Sequence, residues 1–203
     1  MRRILLATTN RDKVREIRGI LAGLPVELIG LDEVAPIEAP DETGSTFEEN
    51  ARLKARYYAD ATGLTSIAED SGLAIDALDG APGVESARFG GADTTYPQKF
   101  ALIYERLRQR GVATSTARFV CAVAIAGSSG ILFETRGTVE GSIAPSPSGS
   151  AGFGYDPIFF YPPFGCTLAA VGTEQKSLVS HRGKAFAAVR EFLHDADGPR
   201  AKG

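Results

Sequence analysis

The sequence predicts an α/β protein with a mixed β-sheet. The chain opens with a strand, loop and helix unit, in which an apolar run at 3–7 is followed by apolar residues at helical spacing. Further on, two runs rich in Val, Ile and Phe flank Gly127-Ser128-Ser129-Gly130 and form a β-hairpin. A hairpin is antiparallel, whereas strand and helix units need parallel crossovers. We therefore expect both kinds of strand pairing.

Each element is justified by its periodicity and its boundaries. Helices show apolar stripes at positions three and four apart, and strands are short β-branched runs between turn residues. The first helix ends at Gly23 and the third has Pro97 in its first turn. The predicted strands are 3–7, 26–29, 64–68, 73–78, 116–126, 131–139 and 158–161, and the later helices are 47–61, 97–110 and 184–194.

Composition limits the classes of protein that this chain can represent. With 203 residues, 43% of them hydrophobic, it can bury a core without disulfides. Cys121 and Cys166 lack metal or redox spacing, so we expect free thiols in a reducing compartment. A net charge of -3 offers no basic footprint for nucleic acid, and no apolar run is long enough for a signal peptide or a membrane span. A soluble cytoplasmic protein is expected.

The loop before the first helix is a candidate phosphate site. It reads Thr8-Thr9-Asn10-Arg11-Asp12-Lys13. Backbone N–H groups at a helix start, together with a nearby lysine, suit a phosphate group. The alternative is that Asn10 only caps the helix and that Lys13 is a solvated residue of the first turn. The residues alone leave both interpretations open.

Two adjacent acids, Glu69 and Asp70, are the strongest chemical signal in the sequence. They follow the predicted strand 64–68 and precede a predicted turn at Ser71-Gly72. Ligands of open α/β sheets bind outside the carboxyl ends of strands, so this position suits an active site. Neighbouring side chains of a strand point to opposite faces, so we expect the two acids to have different tasks. The alternative is a solvated acidic turn.

The second helix presents two polar residues on one face. It begins with a capping box, in which Thr46 is the N-cap and Glu49 reaches back, and it covers 47–61. Asn50 and Lys54 lie one turn apart, so they share a face and are candidates to line a cleft. A solvated lysine is the alternative for Lys54.

Glu42 precedes this helix and is a candidate metal ligand. Gly44 allows a tight turn, so that the carboxylate of Glu42 could reach a metal held by Asp70. Mg²⁺ is typically held by one or two protein carboxylates plus substrate phosphates. Two acids would therefore be enough for a magnesium site.

Polar clusters in the last third of the chain suit a flat ligand. Phe153 stands between glycines in the segment 152–157, where the backbone can approach a ring on which the phenyl group stacks. Lys176 and the pair His181-Arg182 offer donors for a phosphate or a base carbonyl. A surface pair at a helix start is the alternative for His181-Arg182.

These motifs occur in a fixed order over nearly the whole chain. They are Ala7-Thr8-Thr9-Asn10-Arg11-Asp12-Lys13, Glu42-Thr43-Gly44, Thr46-Phe47-Glu48-Glu49-Asn50-Ala51, Glu69-Asp70-Ser71-Gly72-Leu73, Gly80-Ala81-Pro82-Gly83, Ser86-Ala87-Arg88, Phe153-Gly154-Tyr155-Asp156-Pro157-Ile158-Phe159 and Ser180-His181-Arg182-Gly183. The ordered set resembles the inosine triphosphate pyrophosphatase family. Its members hydrolyse non-standard purine nucleoside triphosphates to the monophosphate and pyrophosphate.

The resemblance implies roles for individual residues. Asp70 would be the proton acceptor and a Mg²⁺ ligand, and Glu42 would be the second carboxylate at the metal. The residues that would bind the substrate are Thr8, Thr9, Asn10, Arg11, Asp12 and Lys13 at the triphosphate, Asn50 and Lys54 along the phosphates, Ser71, and Phe153, Gly154, Tyr155, Asp156, Lys176, His181 and Arg182 at the nucleotide.

The resemblance also implies a fold and an assembly. The family fold is a long mixed β-sheet flanked by helices, in two lobes with a central cleft, and its members are usually homodimers. The chain would then be a single domain of two lobes over 1–203. Two residues depart from the family pattern, because Thr9 stands where many members have glycine and Glu69 where others have aspartate.

Base selection is expected to depend on hydrogen-bond donors. If donors around Arg182 and the Phe153 loop face the 6-position, a 6-oxo purine satisfies them and the 6-amino group of adenine does not. Two rival functions stay open: a regulator that binds a purine nucleotide without cleaving it, and a pyrophosphatase for another modified nucleotide. The acids beside the phosphate-binding residues argue against a pure binder.

Overall fold

The computed structural model describes residues 1–197, with side chains up to residue 195. Within 1–197 it contains seven strands and five α-helices, joined by short 3₁₀ turns. In chain order these are β1 (Arg2–Leu6), α1 (Arg11–Ile20), β2 (Val26–Gly30), α2 (Phe47–Thr62), β3 (Thr65–Ile75), α3 (Tyr96–Gln109), β4 (Thr116–Gly127), β5 (Gly130–Ile143), β6 (Phe159–Tyr161), β7 (Cys166–Thr167), α4 (Thr173–Val179) and α5 (His181–Asp197).

The strands form one mixed sheet in the order β2-β1-β3-β4-β5-β6-β7. β1 pairs in parallel with β2 and β3, because helices make the crossovers between these strands. β6 pairs in the antiparallel sense with β5 and β7. The predicted α/β class with a mixed sheet is confirmed.

The chain forms two compact units. The first unit contains 1–70, 121–137 and the described residues from 182 onward, and the second contains 71–120 and 138–181. The boundaries therefore fall inside β3, β4 and β5. No helix within 1–197 is both long and apolar enough to cross a membrane.

Each unit has its own hydrophobic core. In both, apolar residues at helical spacing face β-branched and aromatic residues of the strands. The core of the first unit includes Ile4, Leu6, Ile17, Leu21, Ile67, Val123, Ile125, Phe186, Val189 and Leu193. The core of the second includes Leu73, Ile75, Phe100, Ile103, Leu107, Phe119, Val139, Tyr155, Phe159 and Leu168.

The turn predicted at Ser71-Gly72 is wrong. β3 runs without interruption from Thr65 to Ile75, so the two acids lie in the middle of a strand. Gly72 serves close packing instead, because a Cβ at this position would lie 2.3 Å from Ser86 Oγ. A glycine inside a strand often marks such a close approach of another segment.

Shorter elements differ from the sequence prediction as well. The two-residue β7 and the seven-residue α4 were not predicted, because neither is long enough to show a periodic pattern. α5 begins at His181 instead of 184, with Gly183 inside its first turn. The predicted helices 47–61 and 97–110 agree with α2 and α3 to within one residue at each end.

Candidate active site

The start of α1 is ordered by Asn10. Its side-chain oxygen accepts hydrogen bonds from the backbone N–H groups of Asp12 (3.0 Å) and Lys13 (3.2 Å), and its own N–H donates to Thr8 Oγ1 (3.2 Å). Asn10 is therefore a helix N-cap. The cap fixes the loop at the positive end of the helix dipole, where an anion is favoured. The neighbouring side chains of Thr9 and Arg11 are exposed.

A buried charged cluster surrounds Glu69. Arg182 donates from Nε to Glu69 Oε1 (2.9 Å) and from Nη2 to Oε2 (3.2 Å), and its Nη1 donates to Glu16 Oε2 (2.7 Å). The thiol of Cys121 lies 2.8 Å from Glu69 Oε2, and Lys13 Nζ lies 3.5 Å from Oε1. We call these five residues the Glu69 cluster.

The charges of the Glu69 cluster compensate one another. Burial alone would raise the pKa of Glu69, but Arg182 and Lys13 outweigh burial and hold this pKa well below its ordinary value. Burial and the charge of Glu69 raise the pKa of Cys121 well above its usual range, so the thiol stays neutral and donates its S–H. Two carboxylates thus face two cations, as a buried ionic group requires.

Asp70 has a separate set of partners. Asn50 Nδ2 donates to Asp70 Oδ2 (3.1 Å), while Gly44 N–H donates to Asn50 Oδ1 (2.8 Å) and so fixes the orientation of the amide. Lys54 Nζ lies 3.6 Å from Asp70 Oδ1 and is in direct contact with Glu42 Oε1. Glu69 and Asp70 therefore contact different partners, and their different tasks stay a prediction.

Gly44 is required by a close approach. A Cβ built there would lie 2.6 Å from Asn50 Oδ1 and 2.7 Å from Glu49 Cβ. The predicted capping box is present, since Thr46 Oγ1 accepts from Glu49 N–H (3.2 Å) and Glu49 Oε2 accepts from Thr46 N–H (3.3 Å). The start of α2 therefore sets the position of the amide that binds Asp70.

The carboxylates of Glu42 and Asp70 fit a divalent cation. Both lie against the ammonium group of Lys54, so their oxygens already converge on one positive charge. No group of three or more His, Cys, Asp or Glu side chains that could hold a metal occurs in the part of the chain that the structure describes. Two carboxylates match the number that Mg²⁺ uses when substrate phosphates complete its coordination.

Burial is the main influence on Asp70. It raises the pKa of Asp70 above the ordinary value, and the charge of Lys54 and the hydrogen bond from Asn50 act in the opposite direction. Positive charge close to the carboxylate favours its ionised form. A cation at Asp70 would therefore favour the state that a proton acceptor needs.

In the second unit, a buried ion pair shapes the predicted nucleotide loop. Lys176 Nζ donates to Asp156 Oδ2 (2.7 Å), which also accepts from the Phe153 N–H (2.9 Å). The ammonium group lies 4.8 Å from the centre of the Phe153 ring. Gly152 has φ +73°, and a Cβ there would lie 2.2 Å from Asp156 Oδ2. The loop is thus held around the carboxylate of Asp156.

Tyr155 and His181 are packed into the second unit. The Tyr155 hydroxyl donates to Ser86 O (2.8 Å), its ring meets Tyr96 edge to face, and burial raises the pKa of the phenol. His181 is buried and its ring stacks on Phe119 at 4.8 Å between centroids. The surface pair considered for His181-Arg182 is therefore wrong, because both side chains are buried.

The structure groups the predicted site residues by unit. The first unit brings together Lys13, Glu42, Asn50, Lys54, Asp70 and Arg182, and the second brings together Phe153, Asp156 and Lys176. Ser71 follows Asp70 along β3 in the second unit. The substrate contacts of these residues stay predictions.

Sequence reasoning missed Glu16 and the bond from Cys121. Glu16 stands three residues after Lys13, and that helical spacing was a usable signal. Cys121 is brought to Glu69 only by the folding of the sheet, so no local pattern identifies it.

The fold and the first unit together define an α/β protein with a capped helix start and lysines beside paired acids, an arrangement suited to a phosphate ligand. The chain belongs to the Ham1 family, whose model matches residues 4–192. This membership confirms the resemblance inferred from the motifs.

Relatives are similar over nearly the whole chain. A protein from an Exiguobacterium species named dITP/XTP pyrophosphatase is 47% identical over 184 residues, 91% of this chain and 93% of the relative. One of the same name from Thermus thermophilus is 46% identical over 198 residues, 98% of this chain and 95% of the relative.

Solved structures show the same fold. A HAM1 protein from Coxiella burnetii has a TM-score of 0.87 at 39% identity, and the match covers 96% of this chain and all (100%) of that one. A nucleoside-triphosphatase / dITP/XTP pyrophosphatase from Mycobacterium abscessus has a TM-score of 0.73 at 41% identity, with coverages of 92% and 98%.

Proposed function

We propose that this protein hydrolyses non-standard purine nucleoside triphosphates (ITP, dITP and XTP) to the monophosphate and pyrophosphate, in a Mg²⁺-dependent reaction. The observation that carries the proposal is the convergence of Glu42 and Asp70 on the ammonium group of Lys54, beside the capped start of α1. The names of the Exiguobacterium and Thermus relatives support the same activity.

The residues of the first unit bind the phosphates in this proposal. Backbone groups and side chains of Thr8, Thr9, Asn10, Arg11, Asp12 and Lys13 receive the triphosphate at the start of α1. Lys54 and Asn50 line its path, and Ser71 adds a contact. Lysine serves here as a compact positive charge for the phosphate oxygens.

Asp70 is the proton acceptor for the water that attacks the α-phosphorus. Asn50 orients its carboxylate by a hydrogen bond of 3.1 Å, so that one oxygen is held in place. Glu42 and Asp70 would hold Mg²⁺ together with substrate phosphates, and the bound cation would neutralise charge on the phosphoryl oxygens. Lys13 and Lys54 stabilise the negative charge that develops on the leaving pyrophosphate.

The base is taken up by the residues that the resemblance assigns to the nucleotide. Phe153 stacks on the purine, with Gly154, Tyr155 and Asp156 forming the rest of the loop. Lys176 supplies a donor beside Phe153, because its ammonium group already lies against the phenyl ring. His181 and Arg182 read the 6-oxo group, and Arg182 does so while its guanidinium holds Glu69 and Glu16.

A panel of nucleoside triphosphates tests this function directly. The protein is incubated with Mg²⁺ and ITP, dITP, XTP, ATP or GTP, and the products are separated by ion-exchange chromatography. We expect equal amounts of monophosphate and pyrophosphate from the first three, slow turnover of ATP and GTP, and no turnover with EDTA. Orthophosphate as the first product would contradict cleavage between the α and β phosphates.

The same panel separates the two rival functions. Saturable binding of a purine nucleotide without cleavage would favour a regulator, and turnover of a pyrimidine nucleotide alone would favour a different substrate class. We further propose that the enzyme is cytoplasmic, as its composition predicts, and that it acts as a homodimer, as the resemblance implies. Light scattering coupled to size-exclusion chromatography tests this, and a mass of about one chain would contradict the dimer.

A further inference from the structure

We propose that Glu69 is a positioning residue, whose carboxylate holds the ammonium group of Lys13 in place for the substrate triphosphate. This inference rests on the proposed function, because it assigns Lys13 to the phosphates. The proposed function assigns Glu69 no role as proton acceptor, metal ligand or substrate contact. Its position beside Asp70 on β3 and its burial nevertheless place a second carboxylate inside the first unit.

The carboxylate of Glu69 is fixed from one side. Arg182 donates to both of its oxygens, at 2.9 and 3.2 Å, and the thiol of Cys121 lies 2.8 Å from Oε2. A forked pair of hydrogen bonds from a planar guanidinium sets the plane of a carboxylate as well as its position. Oε1 therefore has a defined place from which to attract a second cation.

Lys13 is the cation of this cluster that reaches solvent. Its side chain is 18% exposed, whereas those of Arg182 and Glu69 are 2% and 0% exposed. The Glu69 cluster thus has a buried end that is fixed by hydrogen bonds and a partly exposed end that carries the ammonium group of Lys13. Such an arrangement suits a cation that must meet an anionic ligand at the start of α1.

Holding Lys13 in advance favours catalysis for an entropic reason. A lysine side chain has many rotamers, and ordering it during the reaction raises the barrier. A contact of 3.5 Å to Glu69 restricts these rotamers before the substrate arrives, while it is loose enough to be exchanged for a phosphate oxygen. Preorganisation of this kind lowers the barrier without a new contact to the substrate.

Asp70 and Lys54 repeat the arrangement on the other face of the strand. Lys54 Nζ lies 3.6 Å from Asp70 Oδ1, close to the 3.5 Å between Lys13 and Glu69. Because successive side chains of β3 alternate, each acid reaches its own lysine. Asp70 acts on the substrate, whereas Glu69 acts through Lys13.

A double-mutant cycle tests whether Glu69 acts through Lys13. The variants are Glu69→Gln, Lys13→Ala and their combination, and the measurement is kcat and KM for ITP with Mg²⁺. We expect Glu69→Gln to lower kcat/KM about tenfold in the Lys13 background and less than about twofold in the Lys13→Ala background, as coupled residues do. The loss should fall on kcat, because removing a negative charge does not weaken binding of an anion.

The double-mutant cycle gives a different result if Glu69 only stabilises the fold. Glu69→Gln would then lower kcat/KM by the same factor in both backgrounds, which would overturn the proposal. All variants are assayed at one temperature, about 20 °C below the lowest Tm of the set, so that each protein is folded and the kcat/KM values can be compared. Absence of turnover in the wild-type protein would instead contradict the proposed function. An unchanged kcat/KM in Lys13→Ala would contradict the phosphate contact of Lys13.

Cys121 provides a second route if Glu69→Gln does not fold. Cys121→Ala removes the S–H donor and leaves the carboxylate with Arg182, while Cys121→Ser keeps a donor and is the matched control. We expect Cys121→Ala to lower kcat/KM about threefold with Lys13 present and not in the Lys13→Ala background, and Cys121→Ser to stay near wild type. Equal losses for Ala and Ser, or an equal loss in both backgrounds, would overturn the proposal.

Discussion

Replacing Arg182 with Met is expected to destabilise the fold strongly. Arg182 is among the largest fully buried side chains of the described residues, and its Nε, Nη1 and Nη2 all donate to carboxylates. Met keeps much of the length of the side chain but removes the guanidinium. Glu69 is fully buried. Within the Glu69 cluster, its remaining partners are then Lys13, at 3.5 Å, and the thiol of Cys121.

The size of the effect follows from this burial. Removing one partner of a buried ion pair destabilises a protein by about 3–5 kcal/mol, because the remaining charge is left without compensation. In a chain of this size, 1 kcal/mol shifts Tm by about 2–4 °C. Arg182→Met should therefore lower Tm by roughly 6–20 °C at pH 7.

Thermal and urea unfolding measure this loss, with Arg18→Met as the control. Arg18 pairs with Glu33 on the surface, where the side chains are 46% and 52% exposed, and the Nη2 to Oε1 distance is 2.7 Å. An exposed pair contributes at most about 1 kcal/mol, so the control should lose less than about 4 °C. The two variants make the same chemical change in buried and exposed surroundings.

The same variant tests the base-reading role predicted for Arg182. On that prediction, loss of the guanidinium lowers kcat/KM for ITP more than for ATP and narrows their ratio. A Tm within about 3 °C of wild type, together with a narrowed ratio, would refute the structural reasoning and leave Arg182 as a base reader alone. A large Tm loss with an unchanged ratio of kcat/KM for ITP to that for ATP would assign base selection to His181, to Lys176 or to backbone groups.

Three further predictions concern the active site and its supports. Asp70→Asn should abolish turnover and keep the fold, and hydrolysis near the wild-type rate would move the proton acceptor elsewhere. Phe153→Ala should lower kcat/KM for ITP and ATP by similar factors of about ten, since stacking contributes about 1–3 kcal/mol for any base, and a loss confined to one nucleotide would contradict this role. Hydrogen bonds from Ser45 lower the pKa of Glu49 from 4.5, so its contribution to stability is present above that value and is lost as the pH falls through the lowered pKa. Glu49→Gln should therefore differ most from wild type in Tm at pH 7 and least at pH 3, and a gap that does not depend on pH would show that the carboxylate charge is irrelevant.

Local signals in the sequence predicted the supports of the site. The capping box of Thr46 and Glu49 and the cap at Asn10 each depend on residues within four positions, and both are present in the structure. The mixed sheet followed from a hairpin combined with strand and helix units. The two caps could be predicted because their hydrogen bonds close over short stretches of chain.

Contacts between distant residues could not be predicted. Arg182 and Glu69 are 113 positions apart, and Cys121 reaches Glu69 across 52 positions. Gly72 was interpreted as a turn residue. Its actual role is to allow the close approach of Ser86, which is 14 positions away and leaves no pattern near residue 72. Burial of a charged side chain is decided by such partners, so the sequence left a surface position open for Arg182, whereas the fold buries it.

Because side chains alternate along β3, the number of residues in this strand determines which face Glu69 and Asp70 occupy. Inserting or deleting one residue between Thr65 and Glu69 would rotate every following side chain to the other face. Asp70 would then be turned towards Arg182, and Glu69 towards Lys54. A change of two residues would keep the faces but move both acids along the strand by about 7 Å. The number of residues in this strand is therefore constrained by the positions of its two acids.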